Sequence, residues 1–222
     1  MRHSCAQNHG SGQHRWAGLA RRQPGWVIGL IMWLLMWLII CLSLWACQSE
    51  DPLAAGRRLL AEDRFEAALP LLEGAGPEAD RHLARAYLGL ARYDAALAAV
   101  ERALTRETED AELHEIHGTI LTARAFAQNE FRNTTDAETA FLRALELDPN
   151  RAHSHYNLGV IYAHHDRPED ARAAYLAALS IDSTLVAAHK KVAELWRRSG
   201  DSQAALDHYV RATQLDDDDA QA

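Results

Sequence analysis

The residues of this 222-residue chain that could carry chemistry are its three cysteines and twelve histidines. Cys5, Cys41 and Cys47 all lie in the segment 1–47, and nine of the histidines lie after them. The rest of the chain therefore has no thiol for a disulfide, a zinc site or a nucleophile. This distribution excludes a disulfide scaffold and a cysteine hydrolase.

No stretch of the chain matches a catalytic motif. The sequence has no G-x-S-x-G, no H-E-x-x-H and no P-loop. Among the histidines, His153 and His164 are 11 positions apart, about three turns along one helix and too far for a shared ion. We therefore predict that the protein is not an enzyme, holds no metal and uses no cofactor.

The two ends of the chain differ in charge. Residues 1–47 hold four arginines and no carboxylate, a formal charge of +4, whereas the rest carries 19 Lys and Arg against 31 Asp and Glu, a charge of −12. Binding to phosphates requires a basic surface, and the larger part of this chain is acidic. The charge therefore excludes nucleic acid as an expected partner.

An apolar run without a charge occupies positions 26–46, soon after Arg21 and Arg22. A helix of this length could span a hydrocarbon core of about 30 Å. The arginines favour a cytoplasmic N-terminus and a body on the other side of the membrane. Cleavable secretory signals usually have shorter apolar cores of about 7–15 residues, so the length favours a retained single-pass anchor in the inner membrane.

The end of this run, Leu44, Trp45, Ala46 and Cys47, resembles the lipobox of bacterial lipoproteins. Leu44, Ala46 and Cys47 match the family's pattern, whereas Trp45 stands where the family prefers a small residue. The resemblance implies cleavage before Cys47 and lipidation of its thiol, and Gln48 in the next position implies an outer-membrane address. Residues 1–47 are therefore a signal peptide or a membrane anchor, and both interpretations remain open.

The rest of the chain repeats one pattern. Four segments each carry an alanine, a bulky residue four positions later and another alanine three positions after that: Ala96, Val100 and Ala103; Ala137, Phe141 and Ala144; Ala171, Tyr175 and Ala178; Ala205, Tyr209 and Ala212. This spacing places each triplet on one face of a helix. Another helical pattern precedes each triplet, as with Leu158, Gly159 and Tyr162. The small residues allow the two helices to approach closely.

This pattern resembles the tetratricopeptide repeat, a helix–turn–helix unit of about 34 residues. The repeats occupy 77–110, 111–151, 152–185 and 186–219, after a tether and a degenerate copy in 48–76 and before a short tail at 220–222. The resemblance implies an all-α superhelical solenoid of about five antiparallel helix pairs, preceded by one N-terminal hydrophobic helix. His114, His155 and His189 fall at one repeat position, which indicates a structural role.

The repeat at 111–151 is longer by seven positions than the other three, and the extra positions fall within 124–135. Insertions in repeat proteins map to loops on one face, often a functional one. A longer first helix would also absorb these residues, and both alternatives are open. Thr135 followed by Glu138 predicts a capping box at the start of the second helix.

Stacked helix pairs form a concave surface from their first helices, and such grooves bind an extended peptide or a partner helix. The resemblance implies a groove that is basic at both ends and acidic near the repeat at 111–151. In the family's register, the groove-facing residues of the last four repeats are Arg81, Arg85, Glu112, Glu115, Thr119, His153, Tyr156, Asn157, Val160, His164, Lys190, Glu194 and Arg197.

The last helix has no following repeat to cover it. Leu206, Tyr209 and Val210 should therefore be partly uncovered, which predicts self-association through this end. The acidic run at 216–219 should fray, because carboxylates at a helix C-terminus oppose the macrodipole.

Together these features predict a non-catalytic interaction scaffold, anchored in the bacterial cell envelope with its body on the periplasmic side and binding a protein or peptide. The alternative is a membrane-anchored accessory subunit that positions an enzyme complex.

Overall fold

The computed structural model describes residues 51–219 except 132, together with seven helical, exposed residues between positions 29 and 37. The chain divides into two compact units, Met1–Ser49 and Glu50–Ala222. Cys47 and most of the predicted N-terminal hydrophobic helix lie outside the described residues. We call the second unit the repeat unit.

The repeat unit is built from helices, with no strand among its described residues. The α-helices are α1 (Pro52–Ala61), α2 (Phe65–Glu73), α3 (Asp80–Gly89), α4 (Tyr93–Leu104), α5 (Ala111–Ala127), α6 (Thr135–Leu147), α7 (Ala152–His164), α8 (Pro168–Ile181), α9 (Val186–Ser199) and α10 (Ser202–Asp219), and a 3₁₀ turn (Pro77–Ala79) precedes α3. Each odd-numbered helix packs most extensively against the helix that follows it. The predicted all-α solenoid of helix pairs is confirmed.

One residue in the left-handed region separates the two helices of every pair. These residues are Asp63, Ala91, Asn129, Asp166 and Gly200, with φ between 54° and 88°. The N–H of the next residue bonds to the carbonyl oxygen five positions back, as Arg92 does to Tyr87 at 2.8 Å and Arg167 to Tyr162 at 2.9 Å. This bond is the Schellman motif that ends a helix. The same local geometry therefore reverses the chain five times.

The seven-position insertion is divided between a helix and a loop. From Gly118 to the left-handed Asn129 there are 11 positions, against seven between the equivalent Gly159 and Asp166. The first helix α5 is thus longer by four positions, about one helical turn. The other three positions extend the loop before α6. Both alternatives left open by the sequence therefore contribute.

The core lies between the helices of each pair. Ala137, Phe141 and Ala144 are fully buried, and Ala171, Tyr175 and Ala178 are at most 1% exposed. The Tyr175 ring lies against Gly159 so closely that a Cβ on this glycine would be 2.6 Å from a ring carbon. The glycine therefore creates the space for the aromatic ring.

Two local predictions differ from the structure. Thr135 is the first residue of α6 rather than its cap, and the N-cap Thr134 makes no side-chain cap bond. The Thr134 hydroxyl instead contacts His165 Nε2 at 2.8 Å. The acidic run does not fray before Asp219, where α10 ends. Within this run, Asp216 accepts a hydrogen bond from Lys190 of α9 at 2.8 Å.

Candidate functional site

The thirteen residues predicted to face a groove all lie on the first helices α3, α5, α7 and α9. None of them is fully buried. Consecutive first helices also contact one another, α1 with α3, α3 with α5 and α5 with α7. We call the surface that carries these thirteen residues the first-helix face.

A network of ion pairs joins α3 to the start of α5. Arg81 contacts Glu107 at 2.5 Å, Asp110 at 2.7 Å and Glu112 at 2.9 Å, and Arg85 contacts Glu112 at 2.6 Å. Partial burial opposes ionisation of Asp110, but hydrogen bonds from the Leu113 N–H and from Arg81 outweigh it and lower its pKa. The charges of Arg81 and Arg85, predicted to make this end of the groove basic, are therefore paired within the protein.

A second network joins α5 to α7 through Glu115. Arg151 donates two hydrogen bonds to this carboxylate, at 3.0 and 3.1 Å, and Ser154 donates a third at 2.7 Å. Burial alone would raise the pKa of Glu115, but the bonds from Arg151 and Ser154 lower it. Thr119 donates to the backbone oxygen of Glu115 within α5. Most polar groups in the middle of the first-helix face are thus engaged within the protein.

The face is more open between α7 and α9. Val160 and His164 of α7 and Glu194 of α9, three of the predicted residues, line one pocket of about 250 Å³. We call it the α7–α9 pocket; its other lining residues are Ala163, Tyr175, Lys191, Leu195 and Arg198.

Hydrogen bonds from Arg197 and Arg198 hold the pKa of Glu194 at about 2. The charge of Arg197 is thus paired within the protein, as is that of Lys190 with Asp216. His153 is exposed, and Tyr156 and Asn157 are half-buried. The predicted residues of α7 are therefore the ones that remain most available.

The insertion forms an aromatic cluster that sequence reasoning missed. His164 stacks on Phe131, with ring centroids 4.8 Å apart and planes 3° from parallel, and both rings contact Phe126 edge-on. His165 Nε2 lies 2.8 Å from the Thr134 hydroxyl. An open cleft of about 980 Å³ lies beside this cluster, lined by Asn129, Glu130, Phe131, Asn133, His164, His165, Asp166 and Arg167. In the sequence, the paired histidines at 164–165 and the phenylalanines of the insertion are the features that could have predicted this cluster.

Three histidines at one repeat position contact the loop before their helix. Nε2 of His114, His155 and His189 lies 2.9 to 3.2 Å from the carbonyl oxygen six positions earlier. In the repeat at 77–110 the same position holds Asp80, which accepts hydrogen bonds from Arg102 and Arg106. The expected structural role of these histidines is thus visible in their contacts. Within the described residues, no three His, Cys, Asp or Glu side chains are grouped to hold a metal ion.

The lipidation residue Cys47 lies outside the described residues, so its prediction stays a prediction. In the part of the chain that the structure describes, none of the helices has the length and apolar character to span a membrane.

Comparison with known proteins identifies the repeats. Models of the tetratricopeptide repeat match residues 82–110 and 122–185. A thermophilic TPR protein from Thermus thermophilus is 26% identical with a TM-score of 0.61, over 74% of this chain and 90% of that one. A crystal structure of MamA is 20% identical with a TM-score of 0.59, over 75% and 97% of the two chains.

MamA from Desulfovibrio magneticus RS-1 is 18% identical with a TM-score of 0.58, over 76% of this chain and 97% of that one. No curated protein sequence matches the chain. The chain therefore contains tetratricopeptide repeats, and its repeat unit has the helical solenoid fold of these solved structures.

Proposed function

We propose that the protein is a non-catalytic scaffold of the bacterial cell envelope that binds a partner peptide or helix along its first-helix face. The observation that carries this proposal is the open stretch around α7. There Tyr156, Asn157 and Val160 are half-buried, and a pocket opens towards α9. An apolar and aromatic strip beside polar groups is what grooves for extended peptides and helices offer.

Photocrosslinking tests this proposal directly. A photoreactive residue at Tyr156 of the full-length protein should capture a partner in living cells. A photoreactive residue at Glu101, which is exposed on α4, is the matched control and should capture no partner. Arg85 is a less suitable position, because its substitution breaks the pair with Glu112. Equal capture at both positions, or none at Tyr156, would reject the proposal.

The membrane attachment is proposed on the sequence alone. An outer-membrane lipoprotein would have a lipidated Cys47 as its first residue, whereas an accessory subunit with an inner-membrane anchor would keep its leader intact. Mass spectrometry of the N-terminal peptide from the membrane fraction distinguishes the two. A Cys47→Ser variant should abolish the lipid-modified mass only in the first case.

Self-association through the last helix is a second proposal, supported by two exposed side chains of α10. Leu206 is 54% exposed and Val210 is 44% exposed, at a spacing that places them on one face of the helix. Light scattering of the full-length protein in detergent should give a mass above that of the monomer, and Leu206→Asp should reduce it. A strict monomer before substitution would contradict this proposal.

A further inference from the structure

One residue that lines the α7–α9 pocket carries a hydroxyl group without a hydrogen-bond partner. Tyr175 lines this pocket and is 1% exposed. Its hydroxyl oxygen is the one buried side-chain nitrogen or oxygen atom without a hydrogen-bond partner among the described residues. Burying a hydroxyl without a partner destabilises a fold, so such a group in a native structure requires an explanation.

The other repeats show how this chain avoids the same problem elsewhere. Tyr209 occupies the equivalent position in the next repeat, and its hydroxyl lies 3.5 Å from Glu194 Oε2. The residue equivalent to Glu194 in the preceding repeat is Val160, which has no acceptor. Phe141, at the equivalent position before Tyr175, is fully buried and has no hydroxyl. The equivalent position in the preceding repeat is thus filled by a phenylalanine, which has no hydroxyl that needs a partner.

The charges around the pocket favour an anionic acceptor. Lys191 is exposed and makes no ion pair with the described residues, whereas Arg198 shares its charge with Glu194. The lining therefore carries one net positive charge, within a part of the chain whose formal charge is −12. Burial raises the pKa of the Tyr175 hydroxyl, and Tyr156 adds to the effect, so the group stays a hydrogen-bond donor.

The volume limits the size of the ligand. Pockets for drug-sized molecules are about 300–1,000 Å³, and this one is about 250 Å³. Its walls include the apolar side chains of Val160, Ala163 and Leu195. A single side chain or a chain end, with an apolar stem and a charged tip, matches these dimensions.

We propose that the α7–α9 pocket receives one carboxylate of the partner, which accepts a hydrogen bond from the Tyr175 hydroxyl and pairs with the Lys191 ammonium group. This inference rests on the proposed function, because it names what the partner brings to the first-helix face. Lys191 is exposed and forms no ion pair with a described residue, so its ammonium group is available to pair with the carboxylate. The carboxylate belongs to a side chain or to a chain terminus, two sources with the same chemistry.

Small probes test the pocket without knowledge of the partner. N-acetylglutamic acid α-amide presents a side-chain carboxylate, N-acetylleucine presents a terminal one, and N-acetylleucinamide is the uncharged control. NMR of the full-length protein in detergent micelles, with labelled tyrosine, reports binding through Tyr175 and its neighbour Tyr156, whose ring centroids are 5.5 Å apart. At least one carboxylate should produce saturable shifts, and the probe that binds more tightly identifies the source. No shift with either carboxylate, or equal binding of the amide, would overturn the proposal.

The variant Tyr175→Phe gives a second test with two opposite expected effects. Removal of the unpaired hydroxyl should raise the melting temperature by about 2–4 °C. It should also weaken binding of the carboxylate probe by about tenfold, observed through Tyr156, because a hydrogen bond to a charged group is lost. Tyr209→Phe is the matched control and should do neither. Unchanged probe affinity in Tyr175→Phe would overturn the proposal.

The contribution of Lys191 is separable from that of Tyr175. Lys191→Gln should weaken the binding of the carboxylate probes by about threefold or more. It should leave the melting temperature unchanged, because the Lys191 ammonium group is exposed and screened by solvent. Arg211→Gln removes the same charge from an exposed side chain of α10 outside the pocket and should leave probe binding unchanged. Equal weakening by both variants would indicate only a long-range charge effect and would overturn the assignment of Lys191.

The two proposals fail in different ways. If crosslinking at Tyr156 captures a partner and Tyr175→Phe binds it as tightly as the unsubstituted protein, the carboxylate pocket is wrong and the scaffold function stands. If the probes bind but no partner is captured, the pocket chemistry stands and the scaffold function fails.

Discussion

The first helices and the second helices of the repeats present opposite kinds of surface. The first helices carry the charged networks around Arg81 and Glu115. All large hydrophobic side chains of the repeat unit that are exposed among the described residues lie instead on second helices: Leu142, Leu176, Ile181, Leu206 and Val210. Outside the half-buried strip of α7, the predicted groove is thus mostly polar, and the most exposed large apolar side chains lie on the second helices.

The apolar surface also follows the repeat. Leu142, Leu176 and Val210 occupy one repeat position and are 44%, 39% and 44% exposed. The residue equivalent to them on α4 is Glu101. Scattered exposed leucines need no explanation, but three apolar residues at one repeat position form a row along α6, α8 and α10. Polar contacts therefore join neighbouring repeats on one side, while the other side presents a row of partly exposed apolar side chains.

The largest effect is expected on the polar side. Glu115→Ala should lower the free energy of unfolding by about 2–3 kcal/mol, because it removes the acceptor of Arg151 and leaves the buried Ser154 hydroxyl unpaired. Chemical denaturation followed by circular dichroism measures this. The control Glu146→Ala removes a carboxylate whose side chain is 66% exposed, and it should cost less than about 0.5 kcal/mol. Similar losses for both variants would show that the Glu115 network is only a surface contact.

The stabilisation from Glu115 should depend on pH in one direction. Its pKa in the folded protein lies below the ordinary value of 4.5, so the stabilisation is complete above about pH 4.5. It is lost as the pH falls through the lowered folded pKa. The difference in unfolding free energy between the unsubstituted protein and Glu115→Ala should therefore shrink in acid. A difference that stays constant there would contradict the lowered pKa.

A smaller effect is expected at the junction of α4 and α5. Asp110 caps α5 by accepting a hydrogen bond from the Leu113 N–H at 3.0 Å, and it also pairs with Arg81. Asp110→Ala should cost about 1–2 kcal/mol in unfolding free energy. Asp110→Asn keeps a good cap and loses only the charge, so it should cost less than half as much. If asparagine and alanine are equally destabilising, the ion pair matters more than the cap.

The smallest effect is expected on the apolar side. Leu142→Gln and Leu176→Gln should each lower the unfolding free energy by less than about 1 kcal/mol, because these side chains are 44% and 39% exposed. The double variant with both substitutions should bind less of a hydrophobic dye in the folded state. Denaturation and dye fluorescence measure the two quantities. A loss above about 1 kcal/mol for either variant would mean that the row packs within the fold.

The fold could be predicted from the sequence because every repeat carries the same pattern. The triplet around Tyr175 and the glycine at 159 encode a close helix pair, and related patterns recur in the other repeats. The histidine at 155 could likewise be assigned a structural role from its repeat position. The cap of α6 could not be predicted reliably, because the Thr134 hydroxyl contacts His165, 31 positions away. Local capping rules do not include such partners.

The site could be predicted only as a set of positions. The family register placed thirteen residues on the first helices, and the structure has them there. It could not predict that Arg81 would meet three carboxylates, because Glu107 and Asp110 come from the loop before the next repeat. Nor could it predict the pocket, whose residues Lys191, Leu195 and Arg198 come from a different repeat than Tyr175.

Periodicity, charge and length are local properties of a chain, so the order of amino acids alone was enough to predict the repeat, the helix pairs, the acidic body and the apolar segment before it. The folded structure was needed to show which charges are already paired, which leucines stay exposed and which hydroxyl lacks an acceptor. These features depend on side chains that stacking brings together across repeats, at distances of a few ångströms that sequence spacing does not encode.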